Sequence, residues 1–315
     1  MRAAAPSVSV VIPCFNQGHF LGAALESVHR QTVPPTEVIV VDDGSTDDTR
    51  QVAARAGATL VSQANAGLSE ARNAGLRASY GDLVVMLDAD DELLPDAIAI
   101  GVEAFARRPR AVAVFGRCRA INAEGQPLPA QYHDIHGGDL YREWLARNFV
   151  WTPGAAMFRR GALEGAGGFP PGLGPVADYA VYLRLARTGE VVLHTREVVR
   201  YRQHEGSMSR DPVMMLGLTL QVLRNERRAA PAYAADIRKG ARAWRRWYGE
   251  RMLRQLRIDI RARRFGRAQG RLLLALIRYA PGLLLTHAGR ALVSRARVLL
   301  DRPFAPSNPH EKVVR

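Results

Sequence analysis

The feature that most restricts the fold is an alternation of short apolar runs with amphipathic segments through residues 7–117. Five runs, rich in Val, Ile and Leu with little polar alternation, predict buried strands at 7–12, 37–41, 59–62, 83–87 and 111–116. The segments between them predict helices at 20–29, 48–56, 69–79 and 95–106. Strands that alternate with helices form βαβ units with right-handed crossovers. The sequence therefore predicts an α/β fold in which a mostly parallel central sheet is flanked by helices.

The pattern changes after residue 117. Residues 118–212 contain glycine- and proline-rich stretches around one predicted helix at 179–187, and residues 213–302 predict a helical, basic and amphipathic region. Residues 303–315 have the composition of a flexible tail. We therefore expect four parts: 1–117 and 118–212 as the two halves of the α/β domain, then 213–302 and 303–315.

The positive charge is concentrated in the third of these parts. The formal net charge is +14, and most of the excess lies beyond Arg224. Arginines interleaved with Leu, Trp and Met favour peripheral binding to an anionic membrane surface, whereas the alternative is a helical bundle packed on the α/β domain with a solvated arginine face. Nucleic acid is disfavoured, because no recognised motif accompanies the charge. The most apolar stretch, 272–285, is interrupted by Arg278 and Pro281 and is not predicted to span a bilayer.

Acidic residues stand where predicted strands end. Asp42 and Asp43 follow the second strand, and Asp88 and Asp90 follow the fourth. Ligands of parallel sheets bind at the carboxyl ends of the strands, so these side chains are candidates for a binding crevice. Carboxylates with this spacing suit Mg²⁺ or Mn²⁺, which also bind substrate phosphates. The alternative for each carboxylate is to cap a turn or a helix. In the same region, the segment 45–48 resembles a capping box that would begin the second helix.

Four motifs in order carry a family resemblance: VSVVIPCFN at 8–16, VIVVDDGS at 38–45, NAGLSEARNAG at 65–75 and LDADD at 87–91. Together they resemble the family 2 glycosyltransferases of the Rossmann-like GT-A fold, over roughly the first hundred residues. A weaker match continues to about residue 209 through the GGF of 167–169 and the DY of 178–179.

The resemblance implies a donor nucleotide site and a divalent cation. The residues that match the nucleotide-binding positions of the family are Pro13, Phe15, Asn16, Asp42, Asp43, Arg72 and Asp88. Asp42 or Asp43 would bond the base or ribose, and the Arg72 guanidinium would approach the base or the diphosphate. Asp90 and Asp88 match the motif that holds Mn²⁺ or Mg²⁺ against the diphosphate. His204 lies in a segment that resembles a lid over the donor, where it would complete the metal shell or touch the diphosphate and Arg202 would offset the charge of the diphosphate. The alternative for His204 is an ordinary surface histidine.

The same resemblance assigns the catalytic base to Asp178, which would take the proton of the acceptor hydroxyl in a single inverting displacement. The family usually has Glu-Asp at this place, whereas Ala177 precedes Asp178 here. The alternative for Asp178 is a helix N-cap, because it stands where a helix is predicted to start. Trp151 occupies the place of the acceptor contacts, and its alternative is core packing.

The leading hypothesis is an inverting glycosyltransferase that moves a sugar from a nucleotide-diphosphate sugar, a UDP-sugar first among them, to a saccharide or lipid-linked acceptor in bacterial surface-polysaccharide synthesis. A catalytically inactive nucleotide-sugar-binding module is the alternative that Ala177 and the basic region suggest. A nucleotidyltransferase is disfavoured, because 13–18 is not a glycine-rich phosphate loop. Two cysteines, Cys14 and Cys118, favour a reducing compartment, so we expect a cytoplasmic enzyme, peripheral on the inner membrane if the basic region binds lipid.

Overall fold

The computed structural model describes residues 5–129, 138–264 and 266–285. These residues form two structural units, the first ending at Trp244 and the second beginning at Arg245. The tail predicted at 303–315 lies outside the described residues, as does the end of the predicted helical region from 286 to 302. The predicted divisions at residues 117 and 212 stay predictions.

The first unit contains one eight-stranded sheet, and its helices lie between the strands and after the last strand along the chain. Its strands are β1 (Val8–Cys14), β2 (Glu37–Asp42), β3 (Thr59–Ser62), β4 (Leu83–Met86), β5 (Glu92–Leu93), β6 (Ala111–Ile121), β7 (Ala156–Arg159) and β8 (Glu190–Arg202). Its helices are α1 (Gly18–His29), α2 (Thr49–Arg55), α3 (Leu68–Ala78), α4 (Ala97–Arg107), α5 (Leu140–Ala146), α6 (Arg160–Gly165), α7 (Ala177–Thr188) and α8 (Pro212–Ala229). Helix α9 (Ala234–Arg261) begins in this unit, and α10 (Arg267–Tyr279) lies wholly in the second.

The strands pair in the order β3-β2-β1-β4-β7-β6-β8-β5. Pairing is parallel in β3-β2, β2-β1, β1-β4 and β6-β8, and antiparallel in β4-β7, β7-β6 and β8-β5. This confirms the mostly parallel central sheet flanked by helices. Because β1, β2 and β4 run in the same direction, they end at one edge of the sheet, and Cys14 is in register with Asp42 there.

The burial of the central strands explains why their sequences are apolar runs. Every residue of β1 and β4 is buried, as expected of strands that are covered on both faces. Strand β3 was also predicted to be buried, and this is wrong: it is the sheet edge, and Leu60 is 38% exposed. Strand β8 was not predicted, since its Thr, Arg and Glu residues interrupt any apolar run.

The predicted capping box at 45–48 is also wrong. Helix α2 begins at Thr49, and the Ser45 hydroxyl instead accepts a hydrogen bond from the Asn16 backbone N–H at 3.0 Å. Asp47 accepts from the Gly18 N–H at 2.8 Å and from the Thr49 N–H at 3.1 Å. These side chains therefore join the loop after β2 to the loop after β1, and so they shape the edge of the sheet rather than a single helix end.

Within the first unit, an aromatic cluster packs α5 and α7 against the sheet, and a buried carboxylate joins α8 to these two helices. Phe115 of β6 makes edge contacts with Trp144, Phe158 and Tyr182, with ring centroids 4.9 to 6.1 Å apart. The buried carboxylate of Glu226, on α8, accepts a hydrogen bond from the Tyr141 hydroxyl at 2.9 Å and lies 3.3 Å from Arg187.

In the second unit, Met252 of α9 and Leu272 and Leu276 of α10 are buried, and a Cβ at Gly249 of α9 would lie 4.0 Å from Leu276 Cδ2. The buried carboxylate of Asp259 accepts hydrogen bonds from the side-chain amides of Gln255 and Gln269, both at 3.0 Å. No helix among the described residues is long and apolar enough to cross a membrane.

Helix α3 approaches the sheet closely at Gly75, and this contact gives a stability prediction. A Cβ at Gly75 would overlap Val11 Cγ1 and lie 3.0 Å from Val41 Cγ2, whereas a Cβ at Gly217 of α8 would meet nothing within 4 Å. We expect Gly75→Ala to lower the free energy of unfolding by about 1–3 kcal/mol through overpacking. The matched change Gly217→Ala should leave it equal or higher, since alanine favours a helix by about 0.5–1 kcal/mol. Urea unfolding of both variants measures the difference, and equal stability of the two would contradict the close approach.

Candidate active site

The candidate site lies at the sheet edge where β1, β2 and β4 end. Pro13 is buried near the end of β1, and the next residues, Phe15 and Asn16, are exposed. Phe15 is 46% exposed, so its ring is open to solvent. Asn16 has a left-handed φ of 52°, and its Oδ1 accepts a hydrogen bond from the Thr46 N–H at 2.8 Å. The β1 loop thus holds an aromatic ring open to solvent beside the end of β2.

Asp42 is a buried carboxylate that organises the loop after β2. Its Oδ1 accepts a hydrogen bond from the Ser45 N–H at 2.8 Å, and its Oδ2 pairs with the Arg50 guanidinium. Burial acts to raise the pKa of Asp42, but the hydrogen bonds from Arg50 and Ser45 outweigh it and leave the pKa below its ordinary value. Asp42 is therefore held ionised.

Asp43 uses its side chain to hold the loop that precedes α3. Its Oδ1 accepts from the Gln63 side-chain amide at 2.7 Å and from the Ala66 N–H at 2.8 Å, and its Oδ2 accepts from the Gly67 N–H at 2.9 Å. Gly67 has a φ of 88°, a conformation that glycine adopts without strain, and α3 begins at the next residue. Asp43 thereby positions the first turn of α3.

Arg72 projects from α3 and is buried. Its Nη2 donates to Asp88 Oδ1 at 2.6 Å, and its guanidinium lies 5.2 Å from the centroid of the Phe169 ring. Among the described residues, Arg72 Nε and Nη1 have no hydrogen-bond partner. A buried guanidinium with two unsatisfied nitrogens is costly unless a ligand satisfies them.

Asp178 lies in the first turn of α7 and is buried. The helix begins at Ala177 and its N-cap is Val176, so the N-cap alternative for Asp178 is wrong. Its Oδ1 accepts from the Tyr179 N–H at 2.6 Å, and the Tyr182 hydroxyl lies 3.4 Å from its Oδ2. Burial raises the pKa of Asp178 to about 6, and the positive charge of Arg72 limits the rise.

Asp88, Asp90 and Asp91 form the acidic cluster, in which one oxygen of each carboxylate lies within 4.8 Å of the others. Asp91 is fully buried: it accepts from the Thr152 hydroxyl at 2.6 Å and from the Arg202 N–H at 2.9 Å. Burial together with the charges of its neighbours raises the pKa of Asp91 well above its ordinary value. Asp91 is thus a structural member, and Asp88 and Asp90 are the part-exposed members of the cluster.

Asp90 and His204, predicted to share a metal, lie together. His204 Nε2 is 2.9 Å from Asp90 Oδ2. Burial and the charge of Asp88 raise the pKa of Asp90, although the His204 hydrogen bond opposes the rise. Carboxylates that repel one another in a part-buried site are stabilised by a cation, and oxygen ligands of this kind suit Mg²⁺ or Mn²⁺. Asp88, Asp90 and His204 therefore fit a divalent cation.

Two further residues hold this geometry: Arg202, which was predicted to offset charge at the diphosphate, and Asn73, which was given no role. Arg202 is buried, donates from Nε to the Asp90 backbone carbonyl at 2.8 Å, and pairs with Glu92. Asn73 donates from Nδ2 to the Phe169 carbonyl at 2.8 Å and accepts from the Phe169 N–H at 2.8 Å. Asn73 thus fixes the Phe169 loop beside Arg72. Its partner is 96 residues away in the sequence, so only its place in the motif at 65–75 marks it.

Trp151 is half-buried, with its ring 6.2 Å from that of Tyr201. Its neighbour in the sequence, Thr152, donates a hydrogen bond to Asp91 of the acidic cluster. Trp151 is only partly exposed, so core packing also stays a prediction. Its role toward an acceptor stays a prediction.

Two relatives share part of their length with this chain. The chondroitin synthase of Escherichia coli is 30% identical over 189 residues, which cover 58% of this chain and 27% of that protein. The hyaluronan synthase of Pasteurella multocida is 28% identical over 192 residues, which cover 59% of this chain and 19% of that protein. The chain therefore matches only about a quarter or less of the length of these relatives.

Solved structures share the fold. The mannosyltransferase PcManGT from Pyrobaculum calidifontis, in complex with GDP-Man and Mn²⁺, superimposes with a TM-score of 0.59 at 21% identity, over 94% of this chain and 84% of that one. S. aureus TarS 1-349, in complex with UDP-GlcNAc, gives a TM-score of 0.57 at 18% identity, over 70% and 66%. At such identities the likeness establishes the fold alone.

Residues 9–166, half of the 315-residue chain, match the model of the family described as glycosyl transferase family 2. This stretch contains the loops that surround Asp42, Asp43 and Arg72 and the whole acidic cluster. The match extends from β1 to α6, so it includes both the parallel strands that end at the crevice and the antiparallel strand β7 beside them. The sequence motifs and the GT-A architecture agree, and the chain belongs to glycosyl transferase family 2.

Proposed function

We propose that this chain transfers a sugar from a nucleotide-diphosphate sugar to a hydroxyl of a saccharide or lipid-linked acceptor, with inversion at the anomeric carbon. The observation that carries the proposal is the position of Arg72 between the acidic cluster and Asp178. Its guanidinium pairs with Asp88 of the acidic cluster, and its charge acts on the buried Asp178. A donor diphosphate and an acceptor hydroxyl would meet where these groups meet.

The donor is bound, in this proposal, along the ends of β1 and β2. Phe15 offers an exposed ring on which a base can stack, and Pro13, Asn16, Asp42 and Asp43 shape the loops around it. The two unsatisfied nitrogens of Arg72 donate to the diphosphate, since a guanidinium fork matches anionic oxygens. We propose a UDP-sugar as the donor. The complex of TarS with UDP-GlcNAc supports this base, and that of PcManGT with GDP-Man makes GDP the competitor.

Asp90, Asp88 and His204 would hold the divalent cation, Mn²⁺ or Mg²⁺, beside the diphosphate. When bound, the cation supplies positive charge opposite the departing nucleotide diphosphate. The Mn²⁺ of the PcManGT complex supports this choice of cofactor. Asp91 and Arg202 keep the cluster in place through their hydrogen bonds, so that Asp90 and His204 stay paired.

Asp178 is the general base. It accepts the proton of the acceptor hydroxyl while that oxygen attacks the anomeric carbon and the bond to the diphosphate breaks. A base acts best when its pKa is near the working pH, and burial brings the pKa of Asp178 to about 6. The hydrogen bonds from Tyr179 and Tyr182 orient the carboxylate. One base suffices for a single displacement, so the alanine at 177 does not remove the activity.

For the acceptor, we propose that Trp151 contributes an aromatic face to a sugar ring. The names of the relatives, chondroitin synthase and hyaluronan synthase, support polysaccharide synthesis as the setting, and we place the reaction in the cytoplasm of a bacterium, in the synthesis of surface polysaccharide.

The donor site predicts nucleotide binding that needs both metal and Asp90. We expect UDP with Mn²⁺ to raise the melting temperature, and GDP, dTDP and CDP to raise it less, because a ligand at about 100 times its Kd adds about 2.7 kcal/mol of stability. The shift should vanish in Asp90→Ala and persist in Glu124→Ala, where an exposed acid is removed. Thermal melts with and without Mn²⁺ measure it. If none of the four nucleotides shifts the wild type, the donor site is wrong.

The base assignment predicts the pH dependence of turnover. Asp178 must be ionised to accept a proton, so the rate should rise with pH and level off above about pH 6. Asp178→Asn should lower UDP release from the UDP-sugar, in the presence of acceptors, about a hundredfold to ten-thousandfold while the UDP-induced thermal shift is kept. Asp236→Asn, at an acid far along the chain on α9, is the control. If Asp178→Asn leaves turnover at the wild-type rate, Asp178 is not the base. If the wild type binds nucleotide but shows no turnover, the inactive module is favoured.

A further inference from the structure

The second unit exposes an apolar stripe on α10. Leu273, Leu274 and Ile277 are 43%, 68% and 54% exposed. The opposite side of the helix is buried, through Leu272, Ala275 and Leu276. A helix that is apolar on its buried side needs no further apolar residues on its outer side for folding, so this stripe is an observation that the packing of the unit does not explain.

Basic residues lie beside the stripe. With 3.6 residues per turn, Leu273 and Ile277 fall on one line of the helix, and Arg267 and Arg278 fall on the next line, with Leu274 between the two. Both arginines are exposed. The outer side of α10 is therefore amphipathic in itself, with an apolar half and a cationic half.

The surrounding charge has one sign. Residues 245–285 contain eleven arginines and two acidic residues, Glu250 and Asp259. Asp259 is buried between two glutamines, and Glu250 pairs with Arg246. Residues 245–285 thus carry a strong excess of positive charge, which selects for an anionic partner.

We propose that the second unit docks on an anionic lipid surface, with α10 lying in the plane of the interface. Leu273, Leu274 and Ile277 enter the boundary between headgroups and acyl chains, and Arg267 and Arg278 meet the lipid phosphates. Amphipathic helices with this division bind membranes through buried apolar area and attraction to anionic headgroups together. The inference does not depend on the donor site, and it needs no membrane-spanning helix.

A lipid surface matches both the apolar half and the cationic half of the outer side of α10, whereas other partners match only one of these halves. A nucleic acid would pair with the arginines but would leave three large apolar side chains in water. A second copy of the unit would cover the apolar residues but would bring two arginine-rich surfaces together, which repel. Anionic lipid supplies negative charge and an apolar layer in the same few ångströms.

The test is co-sedimentation of the full chain with vesicles of phosphatidylcholine alone and of phosphatidylcholine mixed with phosphatidylglycerol. We expect binding to the mixed vesicles only, weakened but not abolished by salt, which screens the arginines and not the apolar contact. The triple change Leu273→Ser, Leu274→Ser and Ile277→Ser should lower the partition coefficient at least about tenfold, since each apolar side chain loses its burial in the interface.

Two double charge reversals, one on α10 and one on the first unit, distinguish docking through α10 from attraction by net charge alone. Arg267→Glu with Arg278→Glu should lower the partition coefficient about 30-fold or more, because each basic residue near an anionic surface contributes about a fivefold gain. Arg77→Glu with Arg110→Glu changes the net charge equally at exposed positions of the first unit and should have little effect. All substituted residues are exposed, so the variants should melt like the wild type.

Three outcomes would overturn the proposal. One is wild-type protein that stays in the supernatant with the mixed vesicles. Another is equal loss of binding in the two charge pairs, which would mean attraction by net charge without α10. The third is assignment of the stripe to another partner. Either a wild-type dimer in sedimentation equilibrium that the triple serine change makes monomeric, or tight binding of duplex DNA in place of vesicles, would show it.

Discussion

The crevice depends on the charge of one buried guanidinium. Asp88, Asp90 and Asp91 lie together, and Asp178 is buried nearby, so the edge of the sheet gathers carboxylates that repel one another. Arg72 pairs directly with Asp88 and limits the rise of the Asp178 pKa. Its place is fixed by α3, which packs on the sheet at Gly75, and by the Phe169 ring that Asn73 holds beside it. The packing of α3 on the sheet therefore also sets the electrostatics of the site, because it fixes the position of Arg72.

The same side chain does different work in different surroundings. Asp42 has a lowered pKa because hydrogen bonds from Arg50 and Ser45 outweigh its burial, and it serves to hold a loop. Asp178 is buried more deeply, so its pKa is raised to about 6 although the charge of Arg72 and the hydrogen bonds from Tyr179 and Tyr182 oppose the rise. Asp91 is buried among other acids and is kept by Thr152 and Arg202. Depth of burial and local donors, more than residue type, set the pKa values of these acids.

Where sequence interpretation failed, the reason was a partner distant in the chain. Thr59–Ser62 has the composition of a strand, but its burial depends on whether another strand lies beyond it, and none among the described residues does. Ser45 has the sequence context of a helix cap, but the β1 loop competes for its hydroxyl. Strand β8 has little apolar pattern, and it forms because β6 offers it a parallel partner.

The sequence by itself determined the α/β alternation, the order of the central strands and helices, and the family, because apolar periodicity and the motifs around Asp42, Arg72, Asp88 and Asp90 are local. It also marked Asp178 and His204, through resemblance. Only the tertiary structure decided that His204 meets Asp90, that Asp91 is structural, and that Asn73 fastens Phe169. These pairs are joined across 96 to 114 residues, and their geometry follows from the register of the strands and the packing of α3, which no local pattern contains.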